Sequence, residues 1–206
     1  MALPVAQTRQ ILVDFTCAGV ATENSLYKFF GANWKVRSAS EPKPCAIRFI
    51  THMYDGIGKV PEVIFKSLAD QAKGSGYCST AKRKVTLVAG SRPDIGGGGL
   101  LCQLYSPMRR RNNVTDRTKS TRQHPGWSVV MGDFMTYLEL QRPRCWFIEE
   151  DDHMLDIDKD SKKRYLDLFV ESIVDSGLGS HVEAVLLDHK VWAKVPRKRP
   201  GLQSDK

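Results

Sequence analysis

The chain has 206 residues, 31 of them basic and 23 acidic, for a formal net charge of +8. At 41% hydrophobic and 26% charged it has the balance of one globular domain with a sizeable core, which excludes a disordered tail and a disulfide miniprotein. No apolar run approaches the roughly 18 residues of a membrane span, and the first residues carry no charged-then-apolar leader, so a soluble intracellular protein is expected, nuclear if the source is eukaryotic.

In chain order, Ile11 to Phe15 is a short apolar run that reads as a buried strand. Asn24 to Phe30 has Leu26, Phe29 and Phe30 at helical spacing, with Gly31 as a stop. Trp34 to Arg37 suggests a second strand. Cys45 to Met53 looks helical, with Ala46, Phe49, Ile50 and Met53 on one face. Val60 to Leu68 reads as helix or loop, and Gly74 to Tyr77 as loop. Val85 to Ala89 is β-branched and followed by glycine, the clearest buried strand by composition. Ser91 to Gly99, with its four-glycine run, reads as a flexible segment. Trp127 to Leu140 is an amphipathic helix, with Val130, Phe134, Tyr137 and Leu138 at three- and four-residue steps, ended by Pro143. Cys145 to Ile148 is a further buried strand, Tyr165 to Val174 a helix ending near Gly177, and Val182 to Leu187 a last strand. Strands alternating with helices predict an α/β fold with a mainly parallel sheet and helices on both faces. Such sheets bind ligands outside the carboxyl ends of their strands, so the loops after Phe15, Ser38, Ala89 and Ile148 are the places for chemistry.

Five cysteines (Cys17, Cys45, Cys78, Cys102, Cys145) are odd in number and form no Cys-x-x-Cys pair, and the five histidines show no metal-ligand spacing. Neither a disulfide framework nor a metal site is expected. Asp156 to Asp160 superficially matches a calcium loop, but Ser161 stands at the glycine position. Charge is clustered: residues 109–122 hold six basic residues against Asp116, and residues 149–160 hold seven carboxylates against Lys159. Lys190 to Arg199 is basic again. Clustered arginine suits a phosphate backbone, and a solvated surface is the plainer reading.

Asp94-Ile-Gly-Gly-Gly-Gly-Leu-Leu-Cys-Gln-Leu-Tyr-Ser106 resembles the nucleophile loop of DNA cytosine-5 methyltransferases, with Asp94, Ile95, Gly98, Gly99, Cys102, Gln103 and Ser106 in register. Leu100 and Leu101 replace the two prolines of that loop. Downstream, Asp116-Arg117, the helix, and Arg142-Pro-Arg-Cys-Trp-Phe-Ile-Glu-Glu-Asp151 follow the family's order, with Glu149 at the position of its catalytic glutamate. Val195-Pro-Arg-Lys-Arg-Pro-Gly201 is similar to the family's late arginine loop, with Arg199 at the first arginine. Val13 to Thr22, with Gly19, is similar to the cofactor-binding turn. Ser40-Glu41 resembles the acidic end of strand two, and Tyr54-Asp-Gly-Ile57 the adenine loop.

The resemblance implies a Rossmann-like class I methyltransferase domain over residues 11–201, preceded by an extension (1–10), followed by a tail (202–206), and without a target-recognition domain. The implied reaction is methyl transfer from S-adenosylmethionine to C5 of cytosine in DNA. A thiolate adds at C6 and makes C5 nucleophilic. Cys102 is then the nucleophile, Glu149 the carboxyl near N3, and Arg199 the cation that orients the base. Phe15, Gly19, Glu41, Asp55 and Gly98 are the implied contacts to S-adenosylmethionine. Ser106, Arg109, Arg110, Arg111 and Arg117 would hold the phosphates of a flipped-out nucleotide. The same residues support other readings. Cys102 between glycine and leucine also reads as a small core residue. Residues 149–152 also read as an acidic loop that repels DNA. The altered motifs fit a relative that binds S-adenosylmethionine or nucleic acid without turnover, or a methyltransferase acting on RNA. The sequence leaves the oligomeric state open.

Overall fold

The computed structural model describes residues 9–16, 33–99, 127–150, 152–158 and 160–185. The expected helix at Asn24 to Phe30 lies outside them. So do Gly19, Cys102, Ser106, Arg109, Arg110, Arg111, Arg117 and Arg199.

Among the described residues seven strands form one sheet: β1 (Ile11–Phe15), β2 (Trp34–Ser40), β3 (Val63–Phe65), β4 (Ser75–Cys78), β5 (Arg83–Thr86), β6 (Ile95–Gly99) and β7 (Cys145–Glu149). Their spatial order is β5-β4-β3-β2-β1-β6-β7. β3, β2, β1, β6 and β7 run parallel; β4 is antiparallel to both its neighbours, so among the described strands it alone is reversed and β5 runs with the rest. The chain leaves β1 toward β2 and β3, then returns to the other side of β1 to lay down β6 and β7. The order therefore reverses between β1 and β6, the crevice where open α/β sheets bind ligands.

Among the described residues four α-helices flank the sheet: α1 (Pro44–Asp55), α2 (Leu68–Lys73), α3 (Phe134–Gln141) and α4 (Tyr165–Asp175). Strand alternation assigns their faces. Val13 and Phe15 of β1 turn toward α1 and pack with Trp34, Val36, Ile64, Ile50 and Tyr54. Asp14, the intervening residue, points to the opposite face, where Tyr137 of α3 meets it. There Leu68, Ala72, Phe134, Leu138, Phe169 and Ile173 join α2, α3 and α4 into a second cluster. The expected α/β arrangement, mostly parallel and covered on both faces, is present.

Several local expectations are corrected. Ser91 to Gly99 is not a loop: it contains β6, a central strand. Its neighbours occupy the space that side chains would need. A Cβ on Gly96 would lie 2.5 Å from Tyr137 Oη, one on Gly97 2.3 Å from the Phe147 carbonyl, and one on Gly98 2.0 Å from the Thr16 carbonyl. Gly98 also holds φ +149°, which side-chain-bearing residues rarely adopt. Conversely, Val85 to Ala89 is not a buried strand. β5 ends at Thr86 on the sheet's edge, and Val88 is 80% exposed. β-branched composition records a fit to a pleated surface, not depth. β7 is likewise an edge strand among the described residues, half-buried rather than central.

Val60 to Leu68 contains β3, kept to three residues after Pro61. Gly74 is the left-handed cap of α2, and β4 starts directly after it, where a loop was expected. Val182 to Val185 is irregular, and the rest of that expected strand lies outside the described residues. In α1 the buried face is Ile50 and Tyr54 with Ala46 and Ile47 beside them, while Phe49 and Met53 are exposed. The first half of the helix expected from Trp127 winds as a π-helix (Ser128–Asp133).

Candidate functional site at the carboxyl edge of the sheet

β1 pairs with β2 through Val13 and Val36, then resumes at Asp14 and Ser38, so Arg37 is an extra residue. Such a bulge sets two successive residues against one on the partner strand. Here it aims both Arg37 and Ser38 at Asp14. The Arg37 guanidinium grips both carboxylate oxygens, with Nε 2.9 Å from Oδ1 and the second bond to Oδ2. It also donates to Gln141 Oε1 at 2.8 Å and to the Ser91 carbonyl. Asp14 further accepts from Ser38 N at 3.1 Å and from the Tyr137 hydroxyl at 3.2 Å.

Arg37 is 3% exposed and Asp14 fully buried, so the ion pair stands in low dielectric with its hydrogen bonds satisfied. Burial above all, and the Asp14 charge beside it, push the Tyr137 phenol well above its ordinary range. The hydroxyl stays protonated and donating. Gln71 adds a bridge, donating from Nε2 to the Phe15 carbonyl at 3.1 Å and to Ser38 Oγ at 3.0 Å. This network lies under the carboxyl ends of β1 and β2 and fixes them. Sequence reasoning passed over it, although an aspartate inside the run Ile-Leu-Val-Asp-Phe was the visible signal.

At the edge itself the structure collects three groups. Glu41 directly follows β2. Its backbone N–H donates to the Phe65 carbonyl at 3.0 Å, and its carboxylate accepts from Lys43 N at 2.9 Å, which leaves it half-buried and oriented. Thr16 follows β1. Its backbone N–H donates to the Gly97 carbonyl at 2.8 Å, and its hydroxyl is buried with no hydrogen bond among the described residues. Glu149 ends β7 in register with Gly99, the last residue of β6. A Cβ on Gly99 would lie 3.3 Å from Glu149 Oε2, so the carboxylate leans over the end of the neighbouring strand. Gly98, buried between Gly97 and Gly99, brings β6 against Thr16 at the switch point.

Two implied cofactor contacts are not brought here. The Phe15 side chain is fully buried and stacks on Tyr54, ring centroids 5.8 Å apart, on the α1 face. Asp55 is the last residue of α1, which starts after β2 at the carboxyl edge and runs back along the sheet. It ends beside the start of β2, where Lys59 Nζ donates to the Trp34 carbonyl at 2.6 Å. Asp55 therefore stands at the opposite edge. Ser161 and Asp158 resolve the calcium-like stretch: Asp158 Oδ2 accepts from Ser161 N and Oγ at 2.9 and 2.8 Å, closing a turn. No helix among the described residues is long and apolar enough to cross a membrane.

No protein-family model matches the chain, and no curated protein matches it.

Proposed function

We propose that the chain is a Rossmann-like class I methyltransferase domain that transfers a methyl group from S-adenosylmethionine to C5 of cytosine in DNA, with Cys102 as nucleophile. The observation that carries this reading is the in-register pairing of Gly99 with Glu149 at the carboxyl edge. Cys102 follows Gly99 by three residues, a reach of at most about 11 Å of extended chain. The nucleophile loop thus starts beside the carboxylate it must work with, at the edge where such sheets bind ligands.

The residues at that edge fit the cofactor in part. Glu41 offers a held carboxylate for ribose hydroxyls, and Thr16 with Gly98 offers a close-packed backbone and a buried hydroxyl at the switch point. S-adenosylmethionine, when bound, supplies a methyl group on a sulfonium. The chain supplies the rest. The Cys102 thiolate adds to C6 of an extruded cytosine, and the added electron density makes C5 the attacking carbon. Glu149, in its protonated form, faces N3 and shares its proton with it, which offsets the negative charge that addition puts on the ring. Arg199 orients the ring carbonyl, and Arg109, Arg110, Arg111, Arg117 and Ser106 hold phosphates.

Trapping on a duplex that contains 5-fluorocytosine tests the reading, because fluorine at C5 blocks release of the enzyme. A covalent adduct is expected with S-adenosylmethionine, lost in Cys102→Ser and in Glu149→Gln. No adduct on DNA, or an adduct that survives Cys102→Ser, refutes it, and an RNA duplex run in parallel decides the polymer.

A second reading, a relative that binds without turnover, draws on the altered catalytic motifs: Leu100 and Leu101 in place of the loop's prolines, and Glu150 and Asp151 after Glu149. Calorimetric binding of S-adenosylmethionine together with absent trapping would favour it.

A further inference from the structure

β4 and β5 are bound to each other far more than to the sheet. Four residue pairs join them, from Ser75 with Thr86 to Cys78 with Arg83, while β4 meets β3 through the single pair Phe65 and Cys78. Cys78 ends β4 and Phe65 ends β3. Running backward from that pair, β4 parts from β3, and Gly74 before its start packs on Gln141 at the end of α3. The two strands are therefore a ribbon joined to the sheet at one pair, with β5 as its outer edge among the described strands.

The ribbon is strongly basic. Lys82, Arg83 and Lys84 are consecutive and exposed, and Lys66, which follows β3, sits over the Tyr77 ring at 4.7 Å. Tyr77 is the cross-strand partner of Lys84, so Lys66, Tyr77 and Lys84 share one face. Among the described residues none of these four cations forms an ion pair. Lysine on an edge strand discourages edge-to-edge pairing, which accounts for β5 by itself. It does not account for Lys66, which lies off that strand and joins its face through an aromatic ring. A two-stranded ribbon also fits the major groove of B-form DNA, whose phosphates attract long cationic side chains from either rim.

We propose that the β4–β5 ribbon is a docking surface for the phosphate backbone of duplex DNA, with Lys66 and Lys84 as its contacts and Tyr77 as the spacer between them. The proposal rests on the reading that the substrate is DNA, and it adds contacts to those read from the sequence at residues 106–117. The full-length chain is titrated with a fluorescent duplex of about 20 base pairs across a salt series, reading anisotropy. Lys66→Gln/Lys84→Gln should flatten the slope of log K against log salt by about two, with about tenfold weaker binding at about 100 mM salt. The control Arg48→Gln/Lys162→Gln removes the same charge from exposed positions on other elements. It should flatten the slope by less than one.

Equal slopes for the two variants, no binding of the duplex by the unaltered chain, or a loss seen only on single-stranded RNA or on vesicles of anionic phospholipid would each overturn the proposal. Intact thermal unfolding in both variants shows that the comparison is of surfaces. An absent fluorocytosine adduct with the slope difference intact would remove the catalytic reading alone.

Discussion

Gly96 is the point where the fold is most directly open to test. Its missing side chain makes room for Tyr137, whose oxygen lies 2.5 Å and whose Cε1 lies 3.1 Å from where a Cβ would stand. Gly96→Ala forces the ring outward in a packed interior, which costs about 1–3 kcal/mol. The displaced hydroxyl also loses Asp14 Oδ2, now 3.2 Å away. Tyr137→Phe loses the same bond without the clash. A hydrogen bond to a buried carboxylate is worth about 1.5–3 kcal/mol. The two substitutions act through one oxygen, so their costs should not add. The double variant keeps only the crowding with the ring edge and with Pro143 Cβ, 3.1 Å from the same Cβ position. It should be less destabilised than the sum of the single variants by about 1–2 kcal/mol. Urea unfolding followed by tryptophan fluorescence reads this as midpoint shifts at constant slope. A Gly96→Ala protein as stable as the parent, or strict additivity in the cycle, would show that Gly96 does not lie beneath Tyr137 and that the glycine run is not this strand.

Arg37→Met leaves the Asp14 charge buried without its cation and should cost about 3–5 kcal/mol in the same assay, with Asp14→Asn in the same chain recovering part of the loss. In alkali the folded state keeps the Tyr137 proton that the unfolded chain gives up near the ordinary value of about 10. Stability is therefore full below about pH 10 and declines as pH rises beyond it, and Tyr137→Phe should remove that share of the decline in pH-dependent melts. Ser67 caps α2 by accepting from Asp70 N at 3.1 Å, and Ser67→Ala should lower stability by about 1 kcal/mol. Glu149 is exposed, so Glu149→Gln should change stability by no more than about 0.5 kcal/mol while abolishing the fluorocytosine adduct.

Legibility in the sequence followed the physics of each element. β1, α4 and the body of α3 were readable because apolar spacing and burial coincide there. β6 was not, since four glycines carry neither β-propensity nor alternation. What makes them a strand is the pair of neighbours, β1 and β7, and the Tyr137 ring above, all distant in sequence. α1 showed two apolar stripes within one turn of each other. Only the packing of Ile50 and Tyr54 on Phe15 and Trp34 chose between them. At the candidate site, Glu41 and Glu149 were legible through the resemblance alone, and the structure puts them directly after β2 and at the end of β7. Asp55 was misplaced because an Asp-Gly pair at a helix end looks, in sequence, like one after a strand. Thr16 and the Asp14–Arg37 pair were missed, since a bulge at Arg37 breaks the two-residue period on which strand reading depends.

A strand of bare glycines also divides the interior. Between Ile95 and the end of β6, neither layer finds a methyl group to grip in the middle of the sheet. Along that stretch of β6 only backbone separates the α1 layer from the layer of α3 and α4. Enlarging or shrinking a side chain around Ile50 therefore sends little mechanical displacement toward Phe169. The two halves can be re-tailored in volume one at a time, with the glycines as the seam that must stay thin.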